Sequence, residues 1–309
     1  MLKVLELFGG IGACSKALER LNIDYEIADY VEIDKYAVKS FNAIHNTNFE
    51  PQDITNWNKD IDVDLIMHGS PCQDFSLAGK QAGGDEGSGT RSSLMYETIR
   101  IVKKLKPKYV IWENVKNLLS KKHKHNFDAY LETMEQLGYA NYYQVLNAKD
   151  YGIPQNRERV FTVSIRKDID EGSFLFPEKQ ELNLKLKDFL EDEVDRKYYL
   201  SEKMLNFFIK NEQVQKEKGN GFRFGVSDGN VIAKAITTRA GGRMDDNFID
   251  EESYLKIKNA TKKGYLEAYE GDGIDISSRM QYHRGTVQRG MIQTLDTQAT
   301  KGVVVSERA

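Results

Sequence analysis

Cys72 sits in the stretch His68-Gly69-Ser70-Pro71-Cys72-Gln73-Asp74-Phe75-Ser76, directly after the apolar residues Val63, Leu65, Ile66 and Met67. Such a run reads as a short buried parallel strand, which puts Pro71 and Cys72 just past its carboxyl end. Open α/β sheets carry their chemistry at that edge. Pro71, with its fixed φ and missing N–H, ends the strand. A thiol held there suits covalent attack on a poorly reactive ring, although a lone cysteine can equally be a small buried hydrophobe. The glycine-rich segment from Gly79 to Arg91 favours the nucleophile, because directly after it such a segment reads as a lid.

Two further groups have the right chemistry. Glu113-Asn114-Val115 lies at the tip of the apolar run Tyr109 to Trp112. On a neighbouring strand to Cys72, Glu113 can share a proton with a ring nitrogen, provided burial or a charge-sharing hydrogen bond tunes it. Gln155-Asn156-Arg157-Glu158-Arg159 precedes a strand at 160–165, and alternate spacing puts Arg157 and Arg159 on one face. Paired guanidinium groups grip a carbonyl oxygen or a phosphate, or else clamp a local carboxylate such as Glu158.

The elements that position these groups read as an α/β pattern. Residues 2–8 form a strand that runs into Gly9-Gly10-Ile11-Gly12 and then a helix from Ala13 to Leu21. Strand, glycine turn and helix bring backbone close to a nucleotide-like cofactor, although the dinucleotide fingerprint spacing is absent. A second strand, Ile27 to Val31, ends at Glu32-Ile33-Asp34, where a carboxylate can accept from a ribose diol. After a helix at 35–44, Asp53-Ile54 is expected to close a short third strand and to meet an adenine by one polar edge and one apolar face. Leu94 to Leu105 reads as an amphipathic helix ended by Pro107, and Lys121 to His125 as solvated helix surface.

The chain has 309 residues, 40% hydrophobic and 29% charged, a formal net charge of -3 and only two cysteines, Cys14 and Cys72. That is enough chain for two domains and fits free thiols in a reducing cytoplasm. No segment reads as membrane-spanning. The His, Cys and carboxylate spacings offer no metal site, which disfavours a zinc deaminase.

Together these motifs resemble the DNA (cytosine-5) methyltransferases of bacterial or phage restriction-modification type, over about residues 3 to 165. Phe8-Gly9-Gly10-Ile11-Gly12, Glu32-Ile33 and Asp53-Ile54 look like the family's cofactor motifs, Gly69-Ser70-Pro71-Cys72-Gln73 like its catalytic motif, and Glu113-Asn114-Val115 and Gln155-x-Arg157-x-Arg159 like the motifs that hold the target base. The resemblance implies a Rossmann-like α/β methyltransferase sheet with a smaller, mainly β target-recognition domain. It implies S-adenosyl-L-methionine as donor, S-adenosyl-L-homocysteine as product and no metal. Phe8, Gly10, Gly12, Glu32, Ile33, Asp53, Ile54, Pro71 and Leu94 are the implied cofactor residues, and Cys72, Glu113, Arg157 and Arg159 the implied catalytic ones. A cytosine in duplex DNA must flip out to reach them, with the loop from Gln73 to Arg91 closing over it.

The expected division is 1–180 for catalysis and cofactor and 181–309 for target recognition, with a connector helix at about 182–208 and a solvated connector from Lys210 to Asn220. From Phe222 onward glycine turns and short β-branched runs dominate. Gln73, Ser76, Arg239, Arg243, Arg279, Arg284, Arg289 and the Thr294-Leu295 pair are the expected DNA contacts. The family's closing Arg-x-Leu-x-Pro-x-Glu and Gly-Asn-Ser/Ala-Val segments do not occur before Ala309, which fits one subunit of a split enzyme, a truncated chain or a naturally shortened protein, and weak activity is expected of the isolated chain unless a second subunit supplies them. The alternatives are a non-catalytic or partner-dependent DNA-binding subunit and a transfer-RNA cytosine-5 methyltransferase of the same fold.

Overall fold

The computed structural model describes residues 1–71, 94–191, 194–220, 224–237, 242–244, 246–249, 255–262, 264–269, 271–276, 285–291 and 301–303. The chain divides into two compact units, Met1–Leu184 and Lys185–Ala309.

The first unit is organised by β1 (Leu2–Leu7), whose last four residues are all buried because strands pair on both sides of it. On one side lies β2 (Tyr25–Val31) and on the other β3 (Leu65–His68), both parallel to it. Next comes β4 (Tyr109–Val115), parallel to β3, then β7 (Glu158–Arg166), which the two-residue β6 (Gln155–Asn156) precedes in the chain, and β5 (Tyr139–Asn147); β7 and β5 run antiparallel to their neighbours. The order is therefore β2-β1-β3-β4-β7-β5. The chain leaves β1 to one side and later returns on the other, so the crevice between β1 and β3 is a topological switch point, where such sheets bind ligands.

Helices cover the sheet: α1 (Ala13–Arg20), α2 (Lys35–His45), α3 (Met95–Leu105) and α4 (Lys124–Gln136). The α2 helix starts at an Asp34 cap whose carboxylate accepts from the Tyr36 and Ala37 amides. Met95, Ile101 and Val102 of α3 and Phe127, Tyr130 and Met134 of α4 join one core cluster with Leu5, Leu7, Ile66 and Trp112. His68 is inside this core, 2% exposed, stacked on Trp112 and within 3.3 Å of the Tyr130 hydroxyl and 3.4 Å of the Thr98 hydroxyl.

Burial pushes the His68 imidazole down to about 3, so it is neutral in the folded protein. The unfolded chain takes up that proton below about pH 6.5, and the folded chain does not. Stability from this group is thus whole above that pH and is lost as pH falls toward the folded value. Urea unfolding is expected to show a slope approaching about 1.4 kcal/mol per pH unit below about pH 6, reduced in His68→Gln; an unchanged slope in that variant would contradict the assignment.

Several elements differ from the sequence expectation. No strand ends at Asp53; Asp53 lies in a loop, where its carboxylate accepts from the Thr55 amide at 2.9 Å and hydroxyl at 2.8 Å. That local bond competes with a strand ladder. Residues 121–123 precede α4 rather than lying on it, and His123 is buried. Of the helix expected at 182–208, only the part from Glu202 onward forms. Before it stand two short 3-10 turns, Leu186–Phe189 and Arg196–Tyr198, each fixed by an aspartate, Asp188 on the Lys185 amide and Asp195 on the Lys197 amide. The helix of this region, α5 (Glu202–Glu217), starts at the Ser201 cap and runs through most of the expected solvated connector.

In the second unit the described strands are short: β8 (Val226–Ser227), β9 (Ala233–Lys234), β10 (Phe248–Ile249), the hairpin β11 (Leu255–Lys258) and β12 (Tyr265–Ala268), and the sheet of β13 (Gly273–Asp275), β14 (Thr286–Gln288) and β15 (Lys301–Val303). Buried Asp272 ties this sheet together by accepting from the Tyr269 and Gly290 amides and pairing with Arg289.

Candidate active site

The carboxyl ends of β1 to β4 lie side by side, Leu7 next to Val31 and His68, and His68 next to Trp112. The segments that leave those ends, Phe8–Gly12, Glu32–Asp34, Gly69–Pro71 and Glu113–Val115, therefore share one edge. Antiparallel β7 extends β4 through the acid: Glu113 pairs with Phe161 and Val115 with Arg159. Paired residues project to the same face, so Arg159 falls diagonally beside Glu113. Its Nε lies 2.8 Å from Glu113 Oε1, and Arg157 Nη2 lies 3.5 Å from the same oxygen. Arg157 is fixed by Asn147, whose side-chain oxygen accepts from its amide at 3.0 Å.

Glu158, the carboxylate that the arginines were expected to clamp as an alternative, pairs with Lys116. Glu113 is thus held in a charge-sharing contact while 31% of its side chain stays exposed. A carboxylate so held can receive a donor from a ligand, and the guanidinium beside it can grip a carbonyl oxygen.

The loop after β3 is fastened to β4 from the opposite face. The Trp112 indole donates to Ser70 Oγ at 3.0 Å, and Asn114 Nδ2 donates to the Ser70 carbonyl at 3.3 Å. A Cβ on Gly69 would stand 3.8 Å from Glu113 Oε2. These bonds fix Gly69, Ser70 and Pro71 against the acid strand, and Cys72 follows Pro71 in sequence. Cys72, Gln73, Ser76 and the rest of the expected lid lie outside the described residues, as do Arg239, Arg279, Arg284, Thr294 and Leu295. The other cysteine, Cys14, is no nucleophile: burial, with the charges of Glu6 and Glu113, pushes its thiol up to about 12.

The cofactor-side residues converge on the β1–β2 end. Phe8 takes a left-handed φ of 54° and packs at the margin of the main core cluster, as does Leu94, while Ile54 is buried within it. Gly10 has φ 55° and open space where a Cβ would stand. Its amide donates to Glu32 Oε2 at 3.1 Å, and the other Glu32 oxygen accepts from the Asp34 amide at 2.9 Å. Gly12, at φ 83°, begins α1; a side chain there would collide with His45 and Phe41. The Gln52 amide donates to the Glu32 carbonyl at 2.8 Å and so brings Asp53 beside Glu32. Ile33 is 68% exposed. An open glycine ledge, a carboxylate and an apolar margin fit a ligand with a ribose and an adenine.

Arg243 is exposed, with its amide on Asp246. Arg289 differs from the free basic residue that the sequence suggested: Asp272 holds it at 2.6 Å, and its guanidinium lies 4.5 Å from the Tyr269 ring centre. An arginine already neutralised has less to offer a phosphate.

The sequence motifs passed over Asp29, which is buried at the end of β2. Its carboxylate accepts from Trp57 Nε1 at 2.7 Å and Gln52 Nε2 at 3.0 Å, and pairs with Lys59 at 2.7 Å. An acid inside the apolar run of β2 was the available signal. This hub carries the 52–59 segment, and with it Asp53 and Ile54.

Compared with known proteins, the chain matches the C-5 cytosine-specific DNA methylase family over residues 2–299. The chain belongs to this family. Its members transfer a methyl group from S-adenosylmethionine to carbon 5 of cytosine. The type II methyltransferase M2.ScrFI of Lactococcus lactis subsp. cremoris is 36% identical over 272 residues, covering 70% of this chain and 72% of that protein. The orphan methyltransferase M.SPRI of Bacillus phage SPR is 35% identical over 286 residues, 78% of this chain but 64% of the phage protein. This methylase chain therefore spans somewhat under two thirds of the phage relative's length. Among solved structures, a triple mutant of Spodoptera frugiperda DNMT2 aligns with a TM-score of 0.59 at 21% identity, covering 79% of this chain and 72% of that one. Entamoeba histolytica EhMeth aligns with a TM-score of 0.60 at 17% identity, covering 88% and 83%. These likenesses show the fold, a Rossmann-like sheet with smaller β-rich additions. No helix among the described residues is long and apolar enough to cross a membrane, and no group of three or more metal-ligating side chains occurs among them.

Proposed function

We propose that this methylase acts on a specific sequence in duplex DNA, with Cys72, Glu113 and Arg159 as the groups that touch a flipped cytosine. The contact between Glu113 and Arg159, beside the fastened Ser70-Pro71 segment, carries this reading. Carbon 5 of cytosine is a weak nucleophile. Addition of the Cys72 thiolate to carbon 6 forms an S–C bond and pushes the ring electrons toward carbon 5 and the ring nitrogen. Glu113 shares a proton with that nitrogen, which has no hydrogen of its own in cytosine, and accepts from the exocyclic amine, stabilising the charge that develops. Arg159 holds the ring carbonyl oxygen and keeps Glu113 aimed, and Arg157 supports the flipped nucleotide. When bound, S-adenosylmethionine supplies an electrophilic methyl group on a sulfonium for carbon 5. Loss of the carbon 5 proton then returns electrons to the ring and expels Cys72.

Gly10 and Glu32 are the proposed ribose-side contacts, and Phe8, Asp53, Ile54, Pro71 and Leu94 the adenine-side wall. The second unit is the proposed reader of the target sequence. Cytoplasmic DNA of a bacterium or phage is the proposed setting.

The test is methyl transfer from labelled S-adenosylmethionine to duplex DNA and to transfer RNA. Label in duplex DNA at carbon 5 of cytosine is the expected result. Label confined to RNA, or to another atom of DNA, would contradict it.

A further inference from the structure

The strand β2 has one residue more than β1 can pair. Val4 lies opposite Ile27 and Leu5 opposite Asp29, which leaves Ala28 as a bulge. A bulge re-aims every side chain that follows it, and bulges gather beside functional sites. Here it advances the register by one, so that Tyr30 lies opposite Glu6. The two side chains share a face under the glycine turn. A Cβ placed on Gly9 would meet the Tyr30 ring at 2.6 Å and Glu6 Oε2 at 2.9 Å. The Tyr30 hydroxyl then reaches past Gly9 and donates to the Gly10 carbonyl at 2.6 Å. Its ring cannot swing away, because it stacks on Phe41 at 3.8 Å and leans on Phe49 at 5.7 Å.

Gly10 is thus held from two sides by β2 and the residue after it. Its carbonyl is taken by Tyr30 and its amide by Glu32. Glu6 adds a third tether by accepting from the Ser15 amide at the start of α1. Nothing in the bare spacing of Phe-Gly-Gly-Ile-Gly would hold Gly10 at its left-handed φ of 55°, since glycine on its own populates both hands.

We propose that Tyr30, delivered by the Ala28 bulge, is a positioning residue that keeps the Phe8–Gly12 turn in the shape that receives the cofactor. The inference rests on the reading of that turn as part of the S-adenosylmethionine site. Tyr30 touches neither cofactor nor base; it acts through Gly10. Preorganisation of this kind lowers the ordering cost of binding, so its loss appears in affinity and leaves the saturated rate alone.

Tyr30→Phe keeps the ring and removes one hydrogen bond. The experiment uses the full chain and S-adenosylhomocysteine, the unreactive product, in calorimetric titration, with hydrogen exchange of the ligand-free protein and thermal unfolding alongside. The expected result is roughly tenfold weaker binding, the weight of one buried hydrogen bond. Faster exchange confined to the Phe8–Gly12 turn and a nearly unchanged melting temperature are expected with it. In turnover, KM for the methyl donor rises while kcat holds. If the unaltered chain binds the product and Tyr30→Phe binds it equally well, the inference fails while the cofactor reading stands. Exchange that rises throughout the sheet with a lowered melting temperature would overturn it in favour of a plain packing role. If the unaltered chain does not bind the product, the cofactor reading falls and takes the inference with it.

Discussion

Replacing Glu113 by Gln is expected to lower the single-turnover methylation rate by about two to three orders of magnitude, the usual cost of removing one group that stabilises transition-state charge. The amide keeps the size and shape of the carboxyl group and can still hydrogen-bond, but it has no proton to pass to the ring nitrogen as negative charge builds there during thiol addition. It also leaves Arg159 without its counter-charge at 2.8 Å. The change should not travel far. With 31% of the Glu113 side chain and 20% of Arg159 exposed, water still reaches the guanidinium that loses its partner, so the loss of stability should be modest. The proposed cofactor contacts Phe8, Gly10 and Glu32 are at the other end of the site, so product affinity should stay as it is.

The double variant with Arg159→Ala should be scarcely slower than the slower single variant, because the two groups act as one unit. Additive losses, or Glu113→Gln at the wild-type rate, would remove Glu113 from the reacting centre.

The second large effect belongs to Cys72. A serine hydroxyl in its place is nearly isosteric, yet its proton is held far more tightly, so little nucleophile forms at neutral pH. Methyl transfer should fall below detection, while S-adenosylhomocysteine binding and the melting temperature hold. The pairing of Cys72 with this chemistry gains from the behaviour of Cys14. With its thiol pushed up to about 12 by burial and two nearby acids, Cys14 stays protonated and cannot stand in for the missing nucleophile. Residual activity in Cys72→Ser therefore has no second thiol to explain it.

Much of this site was legible in the sequence because its groups are local. The apolar run 63–67 followed by Pro71 fixes where a strand ends, and Phe8-Gly9-Gly10-Ile11-Gly12 fixes a tight turn, whatever lies elsewhere in the fold. The arginine pair was legible through strand alternation, but its partner was not. Which carboxylate it meets depends on the register of β7 against β4, a pairing across more than forty residues.

Three features could not be read for the same reason. The Ala28 bulge is defined only by comparison with β1. The Asp29 hub joins residues up to 30 positions apart. The Arg289 guanidinium looked free because its acid, Asp272, is 17 residues away.

The failed elements have a different origin. Around Asp53, and again from Lys185 to Tyr198, apolar spacing suggested a strand or a helix, but aspartate side chains bond nearby amides and make turns instead. Periodicity counts apolar residues and does not see that competition. The helix begins only where Ser201 offers it a cap.

The central claim, a covalent bond between Cys72 and a flipped cytosine, is tested most directly by trapping. Duplex DNA carrying 5-fluorocytosine at the target is incubated with the chain and S-adenosylmethionine, and the mixture is resolved under denaturing conditions. Fluorine cannot leave carbon 5 as a proton does, so the adduct should persist as a protein–DNA species that requires the methyl donor, maps to the peptide containing Cys72 and disappears in Cys72→Ser. An adduct that survives in Cys72→Ser, or maps to another residue, would contradict the account.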